Sequence, residues 1–224
     1  MNIMDTKRIT IFVGYYGSGK TEIAVNYALQ LRKTGKKVVI VDFDIVNPYF
    51  RTKDAEEILQ AHGIQVIAPA FANTNLENPG IPPEIYSIFT DKDIYAIFDV
   101  GGGEDGAIPL GRYYPYLKDE NYNLFFVLNE RRMITKEIDG ALDAFMEIAA
   151  VTRVPVTGII NNTHLKQETT PDMLLQGQLL AEELAKKTNL PIVAISGTEE
   201  MLKSLPEQYQ PLAFPIETYI NLLF

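Results

Sequence analysis

Eight consecutive residues, Gly14-Tyr15-Tyr16-Gly17-Ser18-Gly19-Lys20-Thr21, fit the spacing G-x-x-x-x-G-K-S/T. The chemistry this spacing permits is the cradling of phosphates. Gly14, Gly17 and Gly19 let the chain bend so that backbone N–H groups, those of Tyr16 and Ser18 included, face one concavity. Lys20 is long enough to reach β- and γ-phosphates, and Thr21 offers a hydroxyl to Mg²⁺. Carboxylates recur further along, each after an apolar run: Asp42 and Asp44 follow residues 37–41, and Asp99 follows residues 94–98. Mg²⁺ on a triphosphate is held through a hydroxyl and one or two carboxylates, so Thr21 with Asp99 is the expected pair. Asp44 then either orients an attacking water or completes the outer magnesium shell, which makes it, with Lys20, the candidate catalytic pair.

Two further stretches bear on the same chemistry. Asp99 and Gly102 form D-x-x-G, where a glycine N–H can bond a γ-phosphate and register its loss, so residues 101–106 are expected to reorder on hydrolysis. Asn161-Asn162-Thr163-His164 follows a predicted strand at the place where a base is read. A guanine reader would carry N-K-x-D, and a histidine at the fourth position cannot accept two guanine protons as a carboxylate does, so adenine is favoured. The amides of Asn161 or Asn162 could pair with the adenine edge, or simply turn the chain. The cofactors expected are therefore ATP and Mg²⁺.

The elements that must position these residues can be read from the hydrophobic pattern. Residues 8–13, rich in β-branched and aromatic side chains, predict a strand, and residues 22–33 predict a helix with Ala24, Tyr27, Ala28 and Leu31 on one face. That order aims a helix N-terminus at the phosphate position. Further strands are predicted at 37–41, 64–68, 94–98, 123–128, 154–160 and 190–195. Helices are predicted at 53–61, 84–90, 134–151 and 171–187, with a short one from about 198. Ile138, Leu142, Phe145 and Ala149 would line one face of the helix at 134–151. Residues 69–83 and 104–121 read as long loops, the second with a helical turn near 110–114. The alternation predicts an α/β fold of three layers, a mainly parallel β-sheet with helices on both faces, and ligands beyond the C-terminal strand ends.

Composition narrows the classes. With 46% hydrophobic and 22% charged residues the 224-residue chain can bury a sizeable core, and no linker interrupts the pattern, so residues 1–224 are expected to form one domain. A formal net charge of −9 argues against nucleic acid as a partner. The absence of cysteine removes disulfides, thiolate nucleophiles and thiolate-held metal centres. No stretch approaches the roughly 20 apolar residues of a membrane span, and no signal-peptide pattern opens the chain, so a cytoplasmic location is expected.

These motifs together resemble the MinD/ParA group of P-loop ATPases, which also takes in CobQ/CobB and dethiobiotin-synthetase-like proteins. Residues 14–21 resemble its first motif, Val38-Val39-Ile40-Val41-Asp42-Phe43-Asp44-Ile45 its second-strand motif, and Ile97-Phe98-Asp99-Val100-Gly101-Gly102 its third, over roughly residues 8–163. The resemblance implies a P-loop NTPase fold, a magnesium ligand at Asp99, and Asp44 beside the attacking water and magnesium. Tyr15 stands where the group carries a signature lysine that reaches the partner subunit's nucleotide. That departure removes the main argument for a nucleotide-sandwiched homodimer activated across its interface. Arg51, Arg112, Arg131 and Arg132 lie on predicted binding-edge loops, and any of them could supply the missing cation. Tyr15 and Tyr16 could stack on a base or a partner, or pack. Residues 214–224 are apolar and lack Lys and Arg, unlike the basic amphipathic tail by which MinD grips membranes, so they are expected to pack on the sheet or cover a dimer contact.

The reading reached from sequence is an Mg²⁺-dependent ATP-binding protein, a slow ATPase switching its loops for a protein partner. Two alternatives stand beside it. One is an ATP-dependent ligase or kinase with a small-molecule acceptor held by residues 69–83 and 103–116; the other is a nucleotide-binding regulatory module that hydrolyses nothing.

Overall fold

The computed structural model describes residues 3–4, 7–44, 52–67 and 83–220. Its strands are β1 (Ile9–Val13), β2 (Lys37–Phe43), β3 (Gln65–Ile67), β4 (Ile94–Val100), β5 (Tyr122–Leu128), β6 (Gly158–Asn161), β7 (Ile192–Gly197) and β8 (Ala213–Pro215). They form one sheet in the order β3-β2-β4-β1-β5-β6-β7-β8, with every ladder parallel. From β1 the chain first builds outward through β2 and β3. It then returns to insert β4 beside β1 and continues on the other side from β5. The loop after β1 therefore sits where the winding reverses, the place at which the crossovers diverge and leave a crevice.

Because the sheet is covered on both faces, its strands are apolar on both faces. Ile9, Ile11 and Val13 of β1 face one core with Val41, Phe43, Phe98 and Phe126, whereas Phe12 faces the other with Ile40, Ile97 and Phe125. The second core is closed by α1 (Lys20–Lys33), through Ile23, Ala24, Tyr27, Ala28 and Leu31, and by Ala55 and Leu59 of α2 (Thr52–Ala61). The first is closed by α3 (Pro83–Thr90), α6 (Ile138–Thr152) and α7 (Pro171–Thr188). Phe145 of α6 is buried there, and Ile138, Leu142 and Ala149 pack against the same core, as their spacing predicts. Phe214 of β8 is buried in the second core, so the part of the C-terminal segment that is described packs on the sheet. Among the described residues no helix is long and apolar enough to cross a membrane.

Three expectations shift. The stretch 104–121 is not a loop with a single turn: α4 (Gly103–Ala107), a 3-10 helix over Ile108–Tyr113 and α5 (Tyr114–Leu117) follow one another. Its glycines and prolines mask the pattern, while Ala107, Leu110, Tyr113 and Leu117 supply buried contacts that hold the turns together. The helix expected over 134–151 begins only at Ile138, because the Thr135 hydroxyl is tied back to the Asn129 carbonyl at 2.6 Å. The strand expected over 154–160 is shorter and begins at Gly158. The loop expected over 69–83 lies outside the described residues except for Pro83, which opens α3.

Phe126 is fully buried and meets Phe145 edge-on at 5.4 Å. Phe126→Ala should destabilise the protein by about 3–5 kcal/mol through lost transfer energy and a cavity. Met146→Ala, at a 58% exposed position on the same helix as Phe145, should change stability by less than about 0.5 kcal/mol. Urea midpoints of the two variants check the contrast.

Candidate functional site

The loop between β1 and α1 is held from outside through its carbonyls. The Gly14 carbonyl accepts the Gly103 N–H at 3.2 Å and the Tyr15 carbonyl accepts Lys20 Nζ at 3.2 Å. The Gly17 carbonyl accepts Arg132 Nε at 2.7 Å and the Ser18 carbonyl accepts Asn162 Nδ2 at 2.7 Å. In a planar trans peptide the C=O and the following N–H point in opposite directions. Anchoring the carbonyls of Gly14 and Ser18 therefore turns the N–H groups of Tyr15 and Gly19 away from those anchors. Gly19 closes the loop in the left-handed region at φ 87°, and a side chain there would strike the Asn162 amide and come within 3.1 Å of His164 Nε2. Lys20 and Thr21, the first residues of α1, are both buried.

The carboxylates gather on the β4 and β2 flank of this loop. Strand register sets Asp99 between Phe12 of β1 and Asp42 of β2. Asp99 is 2% exposed, its carboxyl is bonded by the Thr21 hydroxyl, and its Oδ1 has no hydrogen-bond partner among the described residues. Burial, then the nearby Asp42 charge, push its pKa up to about 7, against the pull of the Thr21 hydroxyl and the Lys20 ammonium; Asp44 adds to the rise. The Asp44 N–H donates to Asp42 Oδ1 at 3.2 Å, and its carboxylate lies against Gly101, where a methyl group would come within 2.9 Å of Asp44 Oδ1. Thr21 and Asp99 are thus brought together, with Asp44 close by. Among the described residues no three His, Cys, Asp or Glu side chains make a metal cluster alone. That suits Mg²⁺, which takes its other ligands from phosphates and water, and the buried, unpartnered Asp99 oxygen fits such a cation.

Gly102 and Gly103 lie directly beneath the ring of Tyr16, and a methyl group on Gly103 would come within 2.9 Å of that ring. Tyr16 is 39% exposed, and Tyr15 meets it edge-on at 5.5 Å, so the two tyrosines pack on each other. Burial and the charges of Asp105 and Asp44 raise the Tyr16 hydroxyl above its ordinary pKa. Residues 101–106, expected to reorder on hydrolysis, run into α4, and Gly106 packs on the backbone of Gly101.

On the opposite flank, β5 and β6 deliver Arg132, Asn162 and His164 to the loop. Of the four arginines, Arg132 alone is hydrogen-bonded to the phosphate loop among the described residues. Arg131 pairs with Glu130 at 2.9 Å and bonds Gln176, Arg112 is exposed on the 3-10 helix, and Arg51 lies outside the described residues. The amides expected to read adenine are used differently. Asn161 is fully buried, donates to the Leu174 carbonyl at 3.0 Å and Gln178 Oε1 at 3.3 Å, and accepts the Thr163 N–H at 3.1 Å. Asn162 also accepts from the Ser196 hydroxyl at 2.7 Å. Both are correctly placed at the end of β6, but burial and these bonds commit them to the scaffold rather than to a base edge. Burial, then the charges of Arg132 and Lys166, lower the His164 pKa to about 4, so its ring is neutral at pH 7. Asn129 was missed: buried at the end of β5, it binds the His164 N–H at 3.2 Å and the Arg131 N–H at 3.0 Å through Oδ1. A polar residue closing the apolar run 124–128 at the binding edge was its available signal.

No protein-family model matches the chain. Solved structures do resemble it. The cell division protein FtsY of Thermotoga maritima superposes with a TM-score of 0.52 at 18% identity, over 88% of this chain and 64% of its own. Chloroplast FtsY of Physcomitrella patens gives 0.59 at 17% identity, over 93% and 64%. The signal recognition particle 54 kDa protein of Aeropyrum pernix, solved in complex with GDP, gives 0.51 at 20% identity, over 86% and 42%. The chain therefore spans less than two thirds of the length of these neighbours. Likeness at this level of identity shows the fold alone, an α/β fold like that of these P-loop NTPases, and leaves the MinD/ParA-like resemblance unconfirmed.

The state of Asp99 has a pH consequence. Its unfolded pKa is 3.8 and its folded pKa about 7, so between these values the folded protein holds the extra proton. The stabilisation is complete below pH 3.8 and is lost as pH rises through about 7. Asp99→Asn should flatten this decline, gaining on the parent by about 3 kcal/mol between pH 5 and pH 8. Denaturation midpoints across that range, without added nucleotide or Mg²⁺, check it.

Proposed function

We propose that this protein binds ATP with Mg²⁺, hydrolyses it slowly, and uses the state of the γ-phosphate to switch its surface for a protein partner. The observation that carries the reading is the meeting of the Thr21 hydroxyl with the buried, unpartnered Asp99 oxygen beside a loop anchored by its carbonyls. In this reading residues 14–21 wrap the phosphates and Lys20 neutralises their β and γ charge. Thr21 and Asp99 hold the cation, and Asp44 orients the attacking water. Mg²⁺ supplies charge neutralisation between the β- and γ-phosphates. Gly102 reports the γ-phosphate, and the Tyr16 ring that covers it links this report to the surface.

Adenine is preferred over guanine because the position where a guanine reader needs a carboxylate holds His164, neutral and mostly buried. The GDP complex of the archaeal neighbour makes GTP the competing outcome. The motif blocks at residues 14–21, 38–45 and 97–102 favour a MinD/ParA-like member, with Tyr15 as its departure. A ligase or kinase would hold its acceptor on residues 69–83 and 103–116; of these, 69–82 lie outside the described residues and the second stretch is helical, with Ala107, Leu110 and Tyr113 committed to the core. This favours the switch.

Calorimetric titration of Mg²⁺–ATP and Mg²⁺–GTP tests the reading. ATP should bind more tightly, Lys20→Ala should weaken it at least about tenfold, equivalent to about 1.4 kcal/mol, and Asp99→Asn should abolish the dependence on Mg²⁺. Absence of binding by either nucleotide, or indifference to Lys20→Ala, would overturn it. Phosphate release stimulated by a metabolite rather than by a protein would overturn the switch in favour of the ligase.

A further inference from the structure

The strand order gives the phosphate loop two different flanks. Asp99 and Asp44 stand on the β4 and β2 side, with Thr21 bonded to Asp99. A metal-bound γ-phosphate belongs there, so a triphosphate laid over residues 14–21 must carry its nucleoside toward the β5 and β6 side. Besides the buried Asn129, whose Nδ2 also reaches the Gly17 carbonyl at 3.5 Å, three side chains converge on the loop on that side: Arg132 at Gly17, Asn162 at Ser18, and His164 beside Gly19. Asn162 is buried with its amide bonded at both ends, and His164 is neutral and mostly buried. Arg132 differs from both, being half-buried and ending in a planar cation.

We propose that Arg132 is the nucleobase platform, a guanidinium pinned to the Gly17 carbonyl on whose face the base stacks. The proposal rests on the nucleotide reading above. The pinning is twofold: Nε donates to the Gly17 carbonyl at 2.7 Å, and the backbone N–H of Arg132 donates to the Asn129 carbonyl at 3.2 Å. A guanidinium already held in place loses little further freedom when a base settles on it. Stacking on a planar cation accepts any base, because every base has a π-face. Arg132 therefore supplies affinity for the nucleoside end, and the choice of base is left to the groups around position 164. Its place on the β5 flank also removes it from the γ-phosphate end, where an arginine finger would act.

The test compares two ligands that differ in having a base, Mg²⁺–ATP and Mg²⁺–tripolyphosphate, on the wild type, Arg132→Lys and Arg132→Ala. Lysine keeps the charge and can still donate to Gly17 but has no planar face. Both variants should lose about tenfold in affinity for ATP, whereas the loss for tripolyphosphate, which feels only the Gly17 anchor, should stay within about threefold in each. Hypochromism of the base's ultraviolet band on binding should appear with the wild type and be lost in both variants. Equal weakening of the two ligands would overturn the proposal, showing that Arg132 acts on the phosphates or on loop geometry alone. Unchanged ATP affinity would overturn it as well. A wild type that binds tripolyphosphate and ATP equally well would overturn the platform while leaving the phosphate cradle standing, whereas a wild type that binds neither would overturn the nucleotide reading itself.

Discussion

Peptide groups in a tight loop must put their carbonyls somewhere, and in this protein that constraint governs the whole binding edge. The carbonyls of Gly14, Gly17 and Ser18 are bonded by Gly103, Arg132 and Asn162, contributed from beyond β4, β5 and β6. A buried carbonyl left without a donor is costly, so each of these loops is held to the phosphate loop by the same need. The central place of β1 makes this possible, because its neighbours β4 and β5 both end beside it.

The carboxylate flank is under electrostatic tension of a useful kind. Parallel register puts Asp42 and Asp99 side by side at the same level of adjacent strands. Burial and mutual repulsion both disfavour two charges there, and Lys20 and Thr21 offset part of the cost. A divalent cation at Asp99 would relieve the rest, which couples metal binding to loss of a proton near neutral pH. The other flank shows the opposite sign: burial, and after it the charges of Arg132 and Lys166, keep His164 neutral. The loop thus lies between an acidic edge and a cationic one.

The elements that sequence reading located well are those with long, regular patterns. The continuous apolar runs of β1, β2, β4 and β5 and the helices α1 and α7 emerge within a few residues of where the sequence pattern puts them. Residues 103–117 were less legible, since glycine, proline and tyrosine at that density read as loop. What makes the stretch helical is burial of Leu110, Tyr113 and Leu117 against Phe43, Phe89 and other side chains distant in sequence. The pair Asn161 and Asn162 stands at the strand end where the sequence puts it, but its hydrogen bonds were not legible, because an amide's partners depend on what α7 and the phosphate loop place around it.

The sequence by itself determined the phosphate loop, the acids at the strand ends and the α/β alternation that sets them on one edge. These follow from local rules: the torsional freedom of glycine, the period of apolar residues, and the reach of lysine and threonine next to a helix start. Only the tertiary structure decided which groups face one another. It put Tyr16 over Gly102, set Asp99 beside Thr21 and Asp42, and bonded Arg132 to the Gly17 carbonyl. Those pairings depend on strand order and register, which bring together residues more than a hundred positions apart such as Gly17 and Arg132. No local pattern in the chain encodes that distance.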